Sequence, residues 1–330
     1  MTILFVNGIN DRSVIGINLD SKGQVGYLID GNCSIYHRLE LQEDAAFEYT
    51  LFGKGVQQRR PEFRQKPSLI FNQISDADTH KGALRRCESL CDQLGVPVLN
   101  HPRHILQSAR ERVANKLQNI AGVIMPRTTR FTPGSPEETL EYAASKEFPF
   151  PYIVRVAGDH HGKRMVVIKE AGDLPLLHVL PFDGRDFYLT EYVDFRDDAG
   201  LYHKQRIIVV DGEPLLRHSL YTDSWMVHAS AREFMLQREG WKEDIERFDQ
   251  LSSEVIPGLR NVITEITERL QLEYYGIDCC LLPDGQMLVF EANANMNALH
   301  SPNPATRYRV EAIEQKLYAM LAKYSGETVH

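Results

Sequence analysis

Asp278, Glu291 and Asn293 are the residues of this chain whose types and spacing most directly suggest chemistry. Asp278 follows Gly276-Ile277 and opens an apolar run. Pro283-Asp284-Gly285 then supplies a tight turn, and Met287-Leu288-Val289-Phe290 leads to Glu291-Ala292-Asn293. The pattern predicts two β-strands joined by that turn. The start of one strand and the end of the next are neighbours in an antiparallel pair. Glu291 and Asn293 are two apart and so share a face. Three oxygen ligands would converge there, a set that suits a hard cation such as Mg²⁺, whose other positions go to water and phosphate oxygens. The same residues are also compatible with a plain surface hairpin.

Other segments carry cations in places where an anion could sit. Pro151-Tyr152-Ile153-Val154-Arg155-Val156 reads as a strand with one guanidinium among apolar neighbours, followed by the loop Ala157-Gly158-Asp159-His160-His161-Gly162-Lys163. A glycine-bearing hairpin loop can approach phosphates through its backbone amides, and a plain hairpin fits the sequence equally. There is no Walker A motif. Asp211-Gly212 between apolar runs predicts a second hairpin, with Arg206 and Arg217 on its two strands. Two such arginines side by side either hold an anion between them or each pair with a carboxylate such as Glu191 or Glu291.

These residues need a scaffold, and the composition permits a large one. The chain has 330 residues, 43% hydrophobic and 25% charged, enough for two or three packed units. A formal net charge of −8 argues against a nucleic-acid or anionic-membrane binder. No apolar run reaches the length of a membrane span and the first residues lack a leader pattern, so the expectation is a cytoplasmic protein. The five cysteines form no CxxC and no disulfide framework.

The first third reads as an α/β unit. Strands are expected at Ile3–Val6, Val25–Ile29, Ser68–Phe71 and Val96–Asn100, with a helix over His80–Leu94 whose apolar positions recur at helical spacing and which Gly95 stops. Strand, helix, strand with short links implies a parallel sheet. Asn7, Asn72 and Asp76, just past strand ends, would line its crevice or serve as turn and cap residues. Helices are expected over Ala109–Ile120, Glu137–Lys146, most of Ala229–Leu270 and Ala305–Tyr324.

Taken in order, these motifs resemble the ATP-grasp superfamily, nearest to its glutathione-synthetase and RimK-like carboxylate–amine ligases. The segments that carry the resemblance are a cationic helix before Gly122-Val123-Ile124-Met125-Pro126-Arg127-Thr128, the Arg155 strand with its glycine loop, the hinge Glu191-Tyr192-Val193, the Arg206 strand and the Gly276-Ile277-Asp278…Phe290-Glu291-Ala292-Asn293 hairpin. They extend from about Ser108 to about His300. The resemblance implies an α/β (α+β) protein: a Rossmann-like pre-ATP-grasp domain over 1–104, a central subdomain over 105–190 and a C-terminal subdomain with the metal site over 191–330.

The resemblance also implies roles. Asp278, Glu291 and Asn293 would hold one or two Mg²⁺ ions against the ATP phosphates, with Mn²⁺ as a substitute. Arg155 falls where the family usually has a phosphate-binding lysine, and Arg110 or Arg112 falls near the other. His161, Gly162 and Lys163 would cover the phosphates of ATP. Glu191 and Val193 would meet the adenine edge, with Tyr192 between them facing the other way. Arg206 and Arg217 would grip the transferred phosphoryl group. His228 is a further candidate donor.

The implied reaction is ADP-forming ligation of a small carboxylate to an amine, an amino acid or peptide, through an acyl phosphate. The implied partners are those small molecules and a second copy of the chain in a homodimer, with neither nucleic acid nor membrane. Two alternatives stay open: a phosphotransferase acting on a hydroxyl, and a nucleotide-binding module without catalysis. Three departures from the family pattern stand out. Arginines replace the two lysines, no Pro-Gly pair follows Asn293, and Lys204 stands two before Arg206 where relatives often carry an acid.

Overall fold

The structure, a computed structural model, describes residues 2–326 apart from 20–24, 43–44, 54, 60, 64, 160–163, 229, 239 and 302. In chain order the first unit contains β1 (Ile3–Gly8), β2 (Gly16–Leu19), β3 (Val25–Leu28), β4 (Ala46–Leu51), β5 (Leu69–Asn72), α1 (Lys81–Leu94), β6 (Val98–Leu99) and the short α2 (Pro102–Ile105). A parallel sheet forms in the order β4-β1-β5-β6. Every residue of β1 and β5 is buried, which explains their unbroken apolar runs. Helix α1 turns Ala83, Leu84, Cys87, Leu90 and Cys91 into the core. Gly95 ends it at φ 61°, its N–H donating to Cys91 O at 2.9 Å.

One expectation is corrected here. The strand near Val25 does not join this sheet. β3 pairs antiparallel with β2 in a separate ribbon whose Ile17, Leu19, Val25 and Tyr27 are exposed. The strand beside β1 is β4, where Glu48 interrupts the apolar pattern. Asn7 donates to Glu48 Oε1 at 2.6 Å and Gln73 at 3.1 Å, so that charge is accommodated inside the unit.

The middle of the chain contains α3 (Arg110–Leu117), β7 (Val123–Ile124), β8 (Thr128–Phe131), α4 (Pro136–Ser145), β9 (Tyr152–Val156), β10 (Met165–Ile168) and β11 (Phe187–Glu191). An antiparallel sheet in the order β10-β9-β11-β8 closes over its own core of Val154, Val156, Ile168, Phe187 and Leu189. Helix α4 starts as its sequence dictates: Ser135 Oγ accepts from Glu138 N at 3.2 Å, and Glu138 Oε2 accepts from Gly134 N at 2.6 Å.

The last unit contains β12 (Tyr202–Val210), β13 (Glu213–Thr222), α5 (Ala231–Arg238), α6 (Gly240–Gln250), α7 (Arg260–Leu270), β14 (Tyr274–Leu281), β15 (Met287–Ala294) and α8 (Tyr308–Ser325). Its sheet runs β13-β12-β14-β15-β7, antiparallel except for β7, which lies parallel to β15. Ile207, Val209, Tyr275 and Ile277 share a cluster with Ile263 and Ile266 of α7. Ile208, Val210 and Tyr274 share another with Ile313 and Leu317 of α8. Strand alternation therefore places one helix on each face.

Three buried asparagines join this sheet to the first unit. Asn100 Nδ2 donates to Tyr274 O at 2.5 Å and to Asn295 Oδ1 at 2.6 Å, while Asn100 Oδ1 accepts from Glu273 N and Tyr274 N. Asn295 Nδ2 donates to Asn72 O at 2.9 Å and Ile74 O at 2.8 Å. Asn100 and Asn295 both sit at φ 52°, the left-handed region that asparagine tolerates better than most side chains.

Candidate active site

The charged residues of the site sit at one end of the sheet face whose other end is core. On β12, Lys204 and Arg206 alternate in line with Ile208 and Val210. On β14, Asp278 continues the line of Tyr274 and Gly276. Register pairs Arg206 with Asp278, and Asp278 with Glu291. Asn293 lies opposite Gly276, where a Cβ would collide with Met296 Sδ. A side chain at 276 is thus excluded by the segment that follows β15.

Cations hold both carboxylates. Arg206 grips Asp278 with two parallel hydrogen bonds, Nε to Oδ1 at 2.6 Å and Nη2 to Oδ2 at 2.8 Å, and Lys204 Nζ lies 3.3 Å from Oδ2. Asp278 itself is only 3% exposed. Arg110, at the start of α3, pairs through Nη2 with Glu291 Oε2 and donates from Nη1 to Phe290 O at 2.9 Å. Burial opposes ionisation of Glu291, but the charges of Arg110 and Arg155 outweigh it and hold the carboxyl well below its usual range. Burial also opposes the charge on Arg206, and Asp278 reverses that effect so that its pKa rises. Arg155 moves the other way, down to about 10, through burial and then through the nearby Arg110. Its Nη2 donates to Asp159 O.

These groups lie at one end of a cavity of about 210 Å³ between the central and C-terminal sheets. The other end is lined by Met125, Ile153, Val193, Phe195, Trp225 and Leu288. Glu191 and Tyr192 border it too. Glu191 also accepts from Arg127, Nε to Oε1 at 2.9 Å. Tyr192 meets Trp225 edge to face with centroids 6.3 Å apart, and its hydroxyl lies 3.3 Å from that of Tyr202. His228 reaches the same cavity with a buried Nε2 that has no partner among the described residues. Burial and then Lys204 lower its pKa, so its ring is neutral near pH 7.

A wider cleft of about 720 Å³ adjoins the first. Arg206, Glu291 and Asn293 form its floor, and Asp11, Arg12, Asp76, Asp78 and Lys81 of the first unit form a wall. Asp78 also ties the units together, accepting from Arg130 Nη1 at 2.6 Å and from Tyr188 OH at 2.8 Å.

Of the residues singled out in the sequence, Arg110, Arg155, Glu191, Tyr192, Val193, Arg206, Asp278 and Glu291 come together around the smaller cavity, and Asn293 borders the wider one. Arg112 does not join them; it is turned outward and donates to Gln107 Oε1 at 2.6 Å. Arg217 is also elsewhere. A bulge between Arg206 and Ile207 leaves it without a cross-strand partner, and it donates to Ala298 O and His300 O, both at 2.7 Å. Its place is under the 298–300 segment, so it does not stand beside Arg206 as expected. His161, Gly162 and Lys163 lie outside the described residues. Asn7 and Asn72 are spent inside the first unit, whereas Asp76 lines the wider cleft. The local sequence gave no cue to the engagement of Lys204 with Asp278, because the two are 74 positions apart.

Asp278 and Glu291 are like charges directly opposite each other on paired strands, an arrangement that is unfavourable unless a cation joins them. Glu291 Oε1 and the Asn293 side chain have no hydrogen-bond partner among the described residues. Two carboxylates and an amide of this kind fit a hard divalent cation.

No family model and no curated protein matches the chain. Solved structures do. The VanG D-Ala:D-Ser ligase of Enterococcus faecalis superimposes with a TM-score of 0.56 at 13% identity, over 98% of this chain and 99% of that one. D-alanyl-alanine synthetase A of Vibrio cholerae gives 0.56 at 12%, over 98% of each. A RimK domain ATP-grasp protein of Sphaerobacter thermophilus gives 0.52 at 11%, over 98% of this chain and 99% of that one. The class defined by this architecture is the ATP-grasp fold, and this chain has that fold along almost its whole length.

Proposed function

We propose that the protein is an ATP-dependent carboxylate–amine ligase that forms an amide bond and releases ADP and phosphate. The observation that carries this reading is the smaller cavity: apolar side chains and four cations, Arg110, Arg155, Lys204 and Arg206, line one pocket, the combination that a nucleoside triphosphate requires. The wider cleft shares Arg206 and Glu291 with the smaller cavity and offers room for an acceptor beside the phosphate end. The ligases named above lend support through a shared fold.

In this reading the base lies against Met125, Ile153, Val193 and Leu288, and Trp225 closes over it. Arg110 and Arg155 neutralise phosphate oxygens, with arginine forks in place of lysine point charges. A substrate carboxylate oxygen attacks the γ-phosphorus, the bond from that phosphorus to the bridging oxygen breaks, and ADP leaves. Arg206 faces the charge that develops on the transferred group, with Asp278 fixing its plane. An amine nitrogen then attacks the acyl carbon, the carbon–oxygen bond to phosphate breaks, and the nitrogen gives up its proton to solvent or phosphate. Glu291 and Asn293, with Asp278 held beside them by Arg206 and Lys204, would hold Mg²⁺, which when bound neutralises phosphate charge. No side-chain nucleophile is needed, and burial pushes the Cys279 and Cys280 thiols up, away from reactivity.

The test is ADP release with Mg-ATP across amino acids and small carboxylic acids, with and without amines. Turnover that needs both a carboxylate and an amine is expected. Turnover with a hydroxyl compound alone would instead make the protein a phosphotransferase.

A further inference from the structure

Lys204 is the feature of the site that the proposed reaction leaves unexplained. It sits two residues before Arg206 on the same face of β12, with a side chain only 16% exposed. Its ammonium lies 3.3 Å from Asp278 Oδ2. That carboxylate already receives both nitrogens of the Arg206 fork, at 2.6 and 2.8 Å. A carboxylate offers about four acceptor directions; Arg206 fills two of those on Asp278, and the Lys204 ammonium stands against Oδ2. A divalent ion placed against Asp278 would meet an ammonium and a guanidinium at close range, in a site where burial weakens screening. Glu291 differs. Arg110 takes its Oε2, and Oε1 has no hydrogen-bond partner among the described residues.

The charge inventory points the same way. Glu191 also borders the cavity but is paired with Arg127 at 2.9 Å; against Asp278 and Glu291, Arg110, Arg155, Lys204 and Arg206 then leave two positive charges in excess. A nucleoside triphosphate with one divalent ion carries roughly two negative charges and matches that excess; a second ion would cancel them and leave it unmatched.

We propose that Lys204, acting with Arg206 on Asp278, stands in for a second metal ion, so that this cleft takes its nucleotide with one divalent cation, held on the Glu291 and Asn293 side. The inference rests on the nucleotide reading of the cavity. Lys204 is a positioning residue here, and it sets how many ions the site accepts.

The experiment counts Mn²⁺ bound to the intact protein by electron paramagnetic resonance, with saturating β,γ-imido-ATP and no turnover. Wild type is expected to bind one Mn²⁺ per chain, and only with the analogue. Lys204→Glu is expected to bind two, the second at least about tenfold tighter than any second ion in wild type. Lys204→Gln, a milder change, is expected to show a measurable second site and keeps the test decisive should the glutamate variant fail to fold. Two ions in wild type, or one in both variants, would overturn the role of Lys204 while leaving the nucleotide reading intact. Wild type that binds no Mn²⁺ with the analogue would overturn both.

Discussion

Asp278 and Glu291 face each other across β14 and β15, and each is held from its outer side by a different arginine, Arg206 for one and Arg110 for the other. The row thus alternates as cation, carboxylate, carboxylate, cation. The outer charges come from elements far apart in sequence, so the central pair is fixed only when β12 and α3 have both packed. In the ligase reading this row is what a metal-bound triphosphate meets. Glu291→Ala and Asp278→Asn are therefore expected to lower Mg-dependent ATP turnover at least about a hundredfold while the far-ultraviolet circular dichroism stays unchanged. Turnover near wild type in either variant would remove these residues from the site.

The depressed pKa of Glu291 has a consequence for stability. A carboxyl whose folded pKa lies below its unfolded value stabilises the fold above the unfolded value and loses that contribution as pH falls through the folded one. The shift is downward from an ordinary 4.5. Metal-free wild type should thus lose stability below about pH 4.5 more steeply than Glu291→Gln, which cannot titrate there. Urea midpoints between pH 3 and 6 measure the difference; parallel curves would mean that Arg110 and Arg155 do not act on Glu291 as the distances imply.

Arg206 separates binding from chemistry. Its fork is already committed to Asp278, so it is oriented before any nucleotide arrives. Such preorganisation favours a transition state over a ground state. Arg206→Ala is expected to cut kcat by about a hundredfold to a thousandfold, with KM for ATP moving less than about fivefold. A defect confined to KM would reassign Arg206 to nucleotide binding.

Much of this was legible in the sequence because it is local. The Gly276–Asn293 hairpin follows from alternation and one turn, α1 from apolar spacing and Gly95, and α4 from Ser135 and Glu138. The failures have physical causes. β4 is not legible because Glu48 sits in its middle, and Asn7, His37 and Gln73, all outside the strand, engage that carboxylate. Arg217 was paired with Arg206 by simple strand counting, and a single bulge undid the count. The asparagine junction joins positions near 72, 100 and 295, which no window of sequence brings together.

That junction gives a prediction of its own. Asn295→Leu would remove the donor to Asn72 O and Ile74 O and one of the two acceptors of Asn100 Nδ2 inside a buried interface. Unsatisfied buried polar groups cost about 1–3 kcal/mol each, so a loss of roughly 3–5 kcal/mol in unfolding free energy is expected. Chemical denaturation checks it. A loss under about 1 kcal/mol would mean that the Asn295 amide does not hold the junction and that the Asn100 bonds to Glu273 and Tyr274 and the apolar contacts suffice.

Trp225 offers a direct view of the apolar slot. The chain has two tryptophans, so Trp241→Phe leaves Trp225 as the sole indole reporter. Its ring stands edge-on to Tyr192 at 78° and borders the cavity, where an adenine would change its surroundings. Titration of that variant with β,γ-imido-ATP and Mg²⁺ is expected to change tryptophan emission saturably, and Val193→Glu should abolish the change by placing a charge in the slot. Inorganic tripolyphosphate should compete at the cationic end without reproducing the spectral change. Were tripolyphosphate alone to give the full change, Trp225 would be reporting on the phosphate end and the slot would have no claim on the base.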